Sequence, residues 1–150
     1  MFEVNVYIET SHKSLKQKTG WYFVILEYQT AKGPATFERM NKVEEVTGNR
    51  LELSALEAAL EKLSKPCDIN LYTESRYLNN AITQHWISRW QQSDFKTAKR
   101  QEVKNADLWK KVSDKIAPHF VNMRFAEHHS YKKIMGFNLK QIEEKERKDK

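Results

Sequence analysis

Thr47-Gly48-Asn49-Arg50-Leu51-Glu52-Leu53-Ser54-Ala55-Leu56-Glu57-Ala58-Ala59-Leu60 organises the reading of this chain. Leu51, Leu53, Leu56 and Leu60 recur at helical spacing, and Thr47-Gly48-Asn49 ahead of them is a helix start. The helix is read over Arg50 to Leu63 and stops before Lys65-Pro66. Upstream, Val4, Val6 and Ile8 alternate with polar residues as in a half-buried strand. Trp21 to Tyr28 reads as a second strand, and Lys32-Gly33-Pro34 as a turn into a third over Ala35 to Met40. Downstream, Ile69 to Thr73 is a fourth strand followed at once by a helix from Ser75 to about Trp90. Gln91 to Val103 is polar and basic, Asn105 to Ala117 a helix, Phe120 to Phe125 a fifth strand, and Tyr131 to Lys150 a helix whose end from about 140 is almost wholly charged. Three strands in a meander followed by β-α-β units imply an α/β fold with a five-stranded mixed sheet, three strands antiparallel and then two parallel, and helices on both faces.

With 150 residues the chain is read as one domain over 1–150. It has 39% hydrophobic and 31% charged residues, a globular composition with a core to close. No apolar run has membrane-spanning length, and Met1-Phe2-Glu3-Val4 is not a secretory start, so a cytoplasmic monomer is expected. Cys67 is the single cysteine, which excludes an internal disulfide and a Cys-rich zinc site. The net charge of +6 favours an anionic partner without naming one.

Three carboxylates sit at apolar places. At about 100° per residue, Leu53, Ala55, Leu56, Ala59, Leu60 and Leu63 all lie within about 100° of the direction of Glu52, which therefore points with the core stripe. Glu9 and Glu74 each close an apolar strand. If those two strands are parallel neighbours, the pair faces one crevice at their carboxyl ends. Three such groups repel unless a cation neutralises them, and an oxygen-rich cluster suits Mg²⁺ or Mn²⁺.

These residues resemble type I ribonuclease H from about Val4 to Leu139. Thr47-Gly48-Asn49-Arg50-Leu51-Glu52-Leu53 is similar to the T-x-N-R-M-E-L around that family's catalytic glutamate. Tyr72-Thr73-Glu74-Ser75-Arg76-Tyr77 is similar to its S-T-D-S-x-Y-V. Ala81 to Trp90, Phe95 to Ala98, Val103 to Asn105 and Asp107 to Trp109 resemble the basic protrusion of the bacterial enzymes.

The resemblance implies a ribonuclease H-like fold and an endonuclease that cuts the RNA strand of an RNA/DNA hybrid with two divalent metal ions. Family positions for the metal ligands fall on Glu9, Glu52, Glu74 and Asn138, and the assisting histidine falls on His128. Glu9 and Glu74 stand where the family has aspartate, which carries each carboxylate outward by about one C–C bond. Asn138 keeps an oxygen but no charge, and Thr10-Ser11-His12-Lys13-Ser14 lacks the family's Gly-rich loop. The alternative is a catalytically impaired homologue that binds RNA/DNA hybrid or duplex RNA.

Nucleic-acid contacts are expected from the segment Ala81 to Lys111, where seven Lys/Arg face three acids. Lys96, Lys99 and Arg100 are the phosphate candidates. Trp86 is a further contact candidate, although Trp86, Trp90 and Trp109 at helical spacing read first as core. By family position Thr47 and Asn49 would lie near a DNA phosphate and RNA 2′-hydroxyls, and Arg76 near RNA.

Overall fold

The computed structural model describes residues 1–149. Its single sheet has the order β3-β2-β1-β4-β5, built from β1 (Phe2–Thr10), β2 (Lys18–Thr30), β3 (Gly33–Val46), β4 (Cys67–Thr73) and β5 (Phe120–Phe125). The first three strands are antiparallel neighbours. β4 runs parallel to both β1 and β5. The expected mixed sheet is what forms.

Helix α1 (Gly48–Glu61) is capped by Thr47, whose hydroxyl accepts from the Arg50 N–H at 3.3 Å. It lies with α2 (Arg76–Thr83), α3 (Trp86–Gln92) and α4 (Ala106–Ile116) on one side of the sheet. Leu51, Leu53, Leu56 and Leu60 are buried there against Val4, Val6, Ile8, Ile69 and Leu71. Each such side chain contributes about 1.5–3 kcal/mol by leaving water. The other face is covered by α5 (Lys132–Lys148), where Met135 and Leu139 meet Tyr7, Phe23 and Ile25 in a smaller core. Helices thus cover both faces. The charged end of the chain belongs to α5 as far as Lys148; Lys150 lies outside the described residues.

Two elements differ from their sequence reading. β3 runs on to Val46, because Asn41, Lys42 and Val43 continue the pairing with β2 and Val46 rejoins it opposite Lys18 past a bulge. The polar run hides the strand in the sequence, yet charged residues are what an exposed edge strand needs. The helix expected over Ser75 to Trp90 is broken after Thr83, with His85 in the left-handed region at φ 58°. The break turns Trp86 and Trp90 back onto Trp109, with ring centroids 5.8 Å and 5.2 Å apart along that series.

Candidate active site

The pleat of β1 and β4 sorts the side chains at their carboxyl ends. Tyr7 lies opposite Tyr72 in the parallel register, so two residues further on Glu9 lies beside Glu74. Successive side chains alternate between faces. Val6 and Ile8 belong to the core under α1, whereas Tyr7 belongs to the core under α5. Glu9 and Glu74 accordingly emerge on the α5 face, and Thr10 and Thr73 on the α1 face.

Glu52 approaches from α1 and is 2% exposed. Its carboxylate accepts from Thr10 Oγ1 at 3.1 Å, Lys13 Nζ at 2.7 Å and Thr73 Oγ1 at 3.2 Å. Thr73 Oγ1 in turn accepts from the Ser75 N–H, and Ser75 caps α2 by accepting from Leu78. One chain of bonds thus links Glu52, the end of β4 and the start of α2. Lys13 reaches Glu52 because its loop presses on the beginning of α1. The Gly48 N–H donates to the Ser14 carbonyl at 2.8 Å, and a Cβ on Gly48 would stand 2.7 Å from Lys13 backbone atoms. Glycine permits that approach.

On the opposite face, Lys132 at the start of α5 is ion-paired to Glu74 and lies 3.6 Å from Glu9. His129 Nε2 lies 3.6 Å from the other Glu9 oxygen. Burial raises the Glu9 carboxyl above the ordinary range; Lys132 and Lys13 oppose that effect, and Glu52 adds to it. Burial likewise lowers His129, with nearby His128 acting in the same direction. His129 Nδ1 accepts from the Tyr131 N–H at 3.2 Å, which leaves the hydrogen of the neutral ring on Nε2, a buried atom with no hydrogen-bond partner among the described residues. The His129 ring packs on Tyr7 and Tyr72.

The structure therefore sets Glu9 and Glu74 around the Lys132 ammonium, with Glu52 held by Lys13 and near enough to act on Glu9. Their hard oxygen donors suit a hard divalent cation. Their present geometry belongs to the lysines, and among the described residues no three His, Cys, Asp or Glu side chains are grouped to hold a metal ion. Asn138, expected as a fourth ligand, makes no polar contact with the three carboxylates among the described residues. Six residues past Lys132 in α5, it projects about 120° away from the lysine's direction. His128 is exposed, and it is His129 that reaches Glu9. Lys13, His129 and Lys132 had no signal in the sequence, because their roles come from contacts across the sheet ends.

A second surface adjoins this cluster. Thr47, Asn49 and Arg50 line a cleft with Ser14, Lys104 and Asn105. Arg50 is fixed by Asp107 through bonds of 2.9 Å and 2.6 Å, and by Asn105 at 3.3 Å. Tyr77 accepts from the Trp109 indole at 2.7 Å and from Asn105 at 3.2 Å, tying the cleft to the core. Beyond it, Phe95 is buried and anchors the basic loop, leaving Lys96, Lys99 and Arg100 exposed. Trp86 is half-buried against the core, and Arg76 lies over the Phe125 ring at 5.8 Å.

Comparison with known proteins agrees with the fold. Residues 2–136 match the family model described as RNase H. The chain is 35% identical over 130 residues to the Ribonuclease H of Caldicellulosiruptor saccharolyticus, covering 87% of this chain and 86% of that one. It is 36% identical over 128 residues to the Ribonuclease H of Chlorobium phaeobacteroides, covering 85% and 84%. In fold it resembles LC9-RNase H1, a type 1 RNase H with the type 2 active-site motif, at a TM-score of 0.74 and 20% identity over 95% of this chain and 70% of that one. It also resembles the foamy viral protease-reverse transcriptase solved in complex with RNA/DNA hybrid, at 0.68 and 16% over 92% and 19%. At those identities the structural likeness concerns the fold alone. The family model and the curated relatives together place this chain in the ribonuclease H family.

Proposed function

We propose that this protein is an endonuclease hydrolysing the RNA strand of RNA/DNA hybrids. The observation supporting the reading is the placement of Glu9 and Glu74 at the carboxyl ends of β1 and β4, with Glu52 of α1 near Glu9 and a cleft lined by Thr47, Asn49, Arg50 and Lys104. The family uses divalent metal ions. Glu9, Glu52 and Glu74 are the residues to hold them, two Mg²⁺ or Mn²⁺ in our reading. When bound, such ions supply Lewis-acid polarisation of the phosphate and an activated water at neutral pH.

The chain's own residues do the rest. Thr47 and Asn49 offer hydroxyl and amide groups to a backbone phosphate and to ribose hydroxyls, which differ between the two strands. Lys96, Lys99 and Arg100 neutralise phosphates further along and set register without reading sequence. Arg76, at the start of α2, is placed to meet the RNA strand, and Trp86 offers a half-buried ring to a sugar. Exposed His128, between β5 and α5, is free to move a proton at the departing 3′-oxygen.

A second reading, a module that binds hybrid without cutting it, is favoured by the lysine partner that each carboxylate already has. Cleavage of a labelled RNA/DNA hybrid in Mg²⁺ and in Mn²⁺, with Glu52→Gln as control, separates the two. Cleavage that Glu52→Gln abolishes supports the enzyme. Salt-sensitive binding with no cleavage in either metal supports the module.

A further inference from the structure

Helix α5 meets the carboxylates with a positive charge. Lys132, in its first turn, is paired with Glu74 and lies 3.6 Å from Glu9. Residues four apart in a helix lie about 40° from each other around the axis, so Gly136 follows Lys132 on the same face one turn later. No atom lies within 4 Å of where a Gly136 Cβ would stand. In its first two turns, the face that looks towards Glu9 and Glu74 therefore carries one ammonium group, no acid, and space beside it. The Lys132 side chain is 39% exposed, which leaves it room to swing into solvent without unpacking a core.

We propose that Lys132 is the resident cation of the Glu9–Glu74 half of the site and that a divalent ion binds there only by displacing its ammonium. The inference rests on the metal-using reading above. In the metal-free protein Lys132 holds together two neighbouring carboxylates that would otherwise repel. The same contact lowers apparent metal affinity, because each ion that enters must break an existing ion pair. Lys13 holds Glu52 in a comparable way, with a side chain 51% exposed on a loop whose backbone presses against α1 at Gly48. Displacement of Lys132 from Glu9 and Glu74 by the entering ion is what sets this proposal apart from general charge balance.

Two measurements on the full chain test it. Mn²⁺ titration followed by the paramagnetic signal of the free ion compares wild type with Lys132→Met. Removing a competing unit charge should tighten Mn²⁺ binding about tenfold. Equal or weaker binding by a folded Lys132→Met protein overturns the proposal. Amine labelling of the wild type, read by mass spectrometry, is independent of how the variant folds. Lys132 should label faster once Mn²⁺ is added, while Lys110, remote from the carboxylates, stays unchanged. No increase at Lys132 overturns the proposal. Hybrid cleavage is scored separately. Displacement without cleavage removes the enzyme reading and keeps this one, whereas cleavage without displacement does the reverse.

Discussion

The Glu52 side chain is 2% exposed and has three hydrogen-bond donors, whereas the Glu74 side chain is 41% exposed and is held by one lysine. Both belong to the same cluster, but they are built into the molecule by different means. Glu52 sits in the first turns of a helix whose neighbours on both sides are core leucines, so its position follows from the packing of the larger core. Glu74 lies just past the last hydrogen-bonded residue of β4 and meets a helix that packs on the smaller core through Met135 and Leu139. A buried carboxylate with three donors is pre-positioned, because moving it gives up all three bonds and strands the buried Thr73 hydroxyl away from water. A half-exposed carboxylate held by one flexible lysine is adjustable. The site thus joins a fixed wall to a movable one, and Glu9 stands between them.

The harshest way to break this contrast is Glu52→Gln. Hybrid cleavage should fall by more than about 100-fold, beyond the loss usual for a residue that merely supports a ligand, while circular dichroism shows an intact fold. Glu74→Gln should cost less, about tenfold, with little change in melting temperature. Equal losses in the two variants would mean that burial does not set the hierarchy.

Thr73→Val probes the fixed wall without touching a carboxylate. It removes a donor to Glu52 and the acceptor of the Ser75 N–H, so it should destabilise the fold by about 1–3 kcal/mol in denaturant titration. An unchanged midpoint would show that the bond chain from Glu52 to α2 does not stiffen the site.

On the basic surface, Lys96→Ala combined with Lys99→Ala should weaken hybrid binding and reduce its salt slope by about one per lost phosphate contact. An unchanged slope would remove these lysines from the interface.

The smallest expected effect lies at the cleft. Arg50 holds Asp107 down to about 2, below its ordinary value of 3.8. A carboxyl depressed in the folded state stabilises the fold above its unfolded value, and that contribution disappears as the pH falls through its folded value. Asp107→Asn should therefore flatten the loss of melting temperature between about pH 4 and pH 2, modestly, because the pair is largely exposed.

The α5 face shows why part of the site escaped a linear reading. Glu27 accepts from Tyr131 at 2.5 Å, Tyr7 at 3.0 Å and Asn5 at 3.1 Å, groups spread over more than a hundred positions of sequence. Burial pushes Glu27 up, but those three bonds outweigh it and hold the carboxyl below its usual range. The same bond to Glu27 is the main cause that raises the Tyr131 hydroxyl to about 12. This polar aromatic cluster fixes the beginning of α5, and with it Lys132 and His129. None of its members forms a motif with a sequence neighbour. His128 and Asn138 are placed by resemblance along the chain, whereas the contacts of Lys132 and His129 depend on helix phase and loop path.

Local pattern alone determined a great deal. Alternation gave β1, the leucine spacing gave α1 and the inward direction of Glu52, and the apolar ends of two strands marked Glu9 and Glu74. Those are short-range properties, fixed by the period of a strand or a helix. Tertiary structure alone decided which cations meet those acids, because Lys13 comes from a loop pressed on Gly48 and Lys132 from a helix across the sheet. Charge balance in such a cluster is a sum over neighbours in space, and the chain order does not contain that sum.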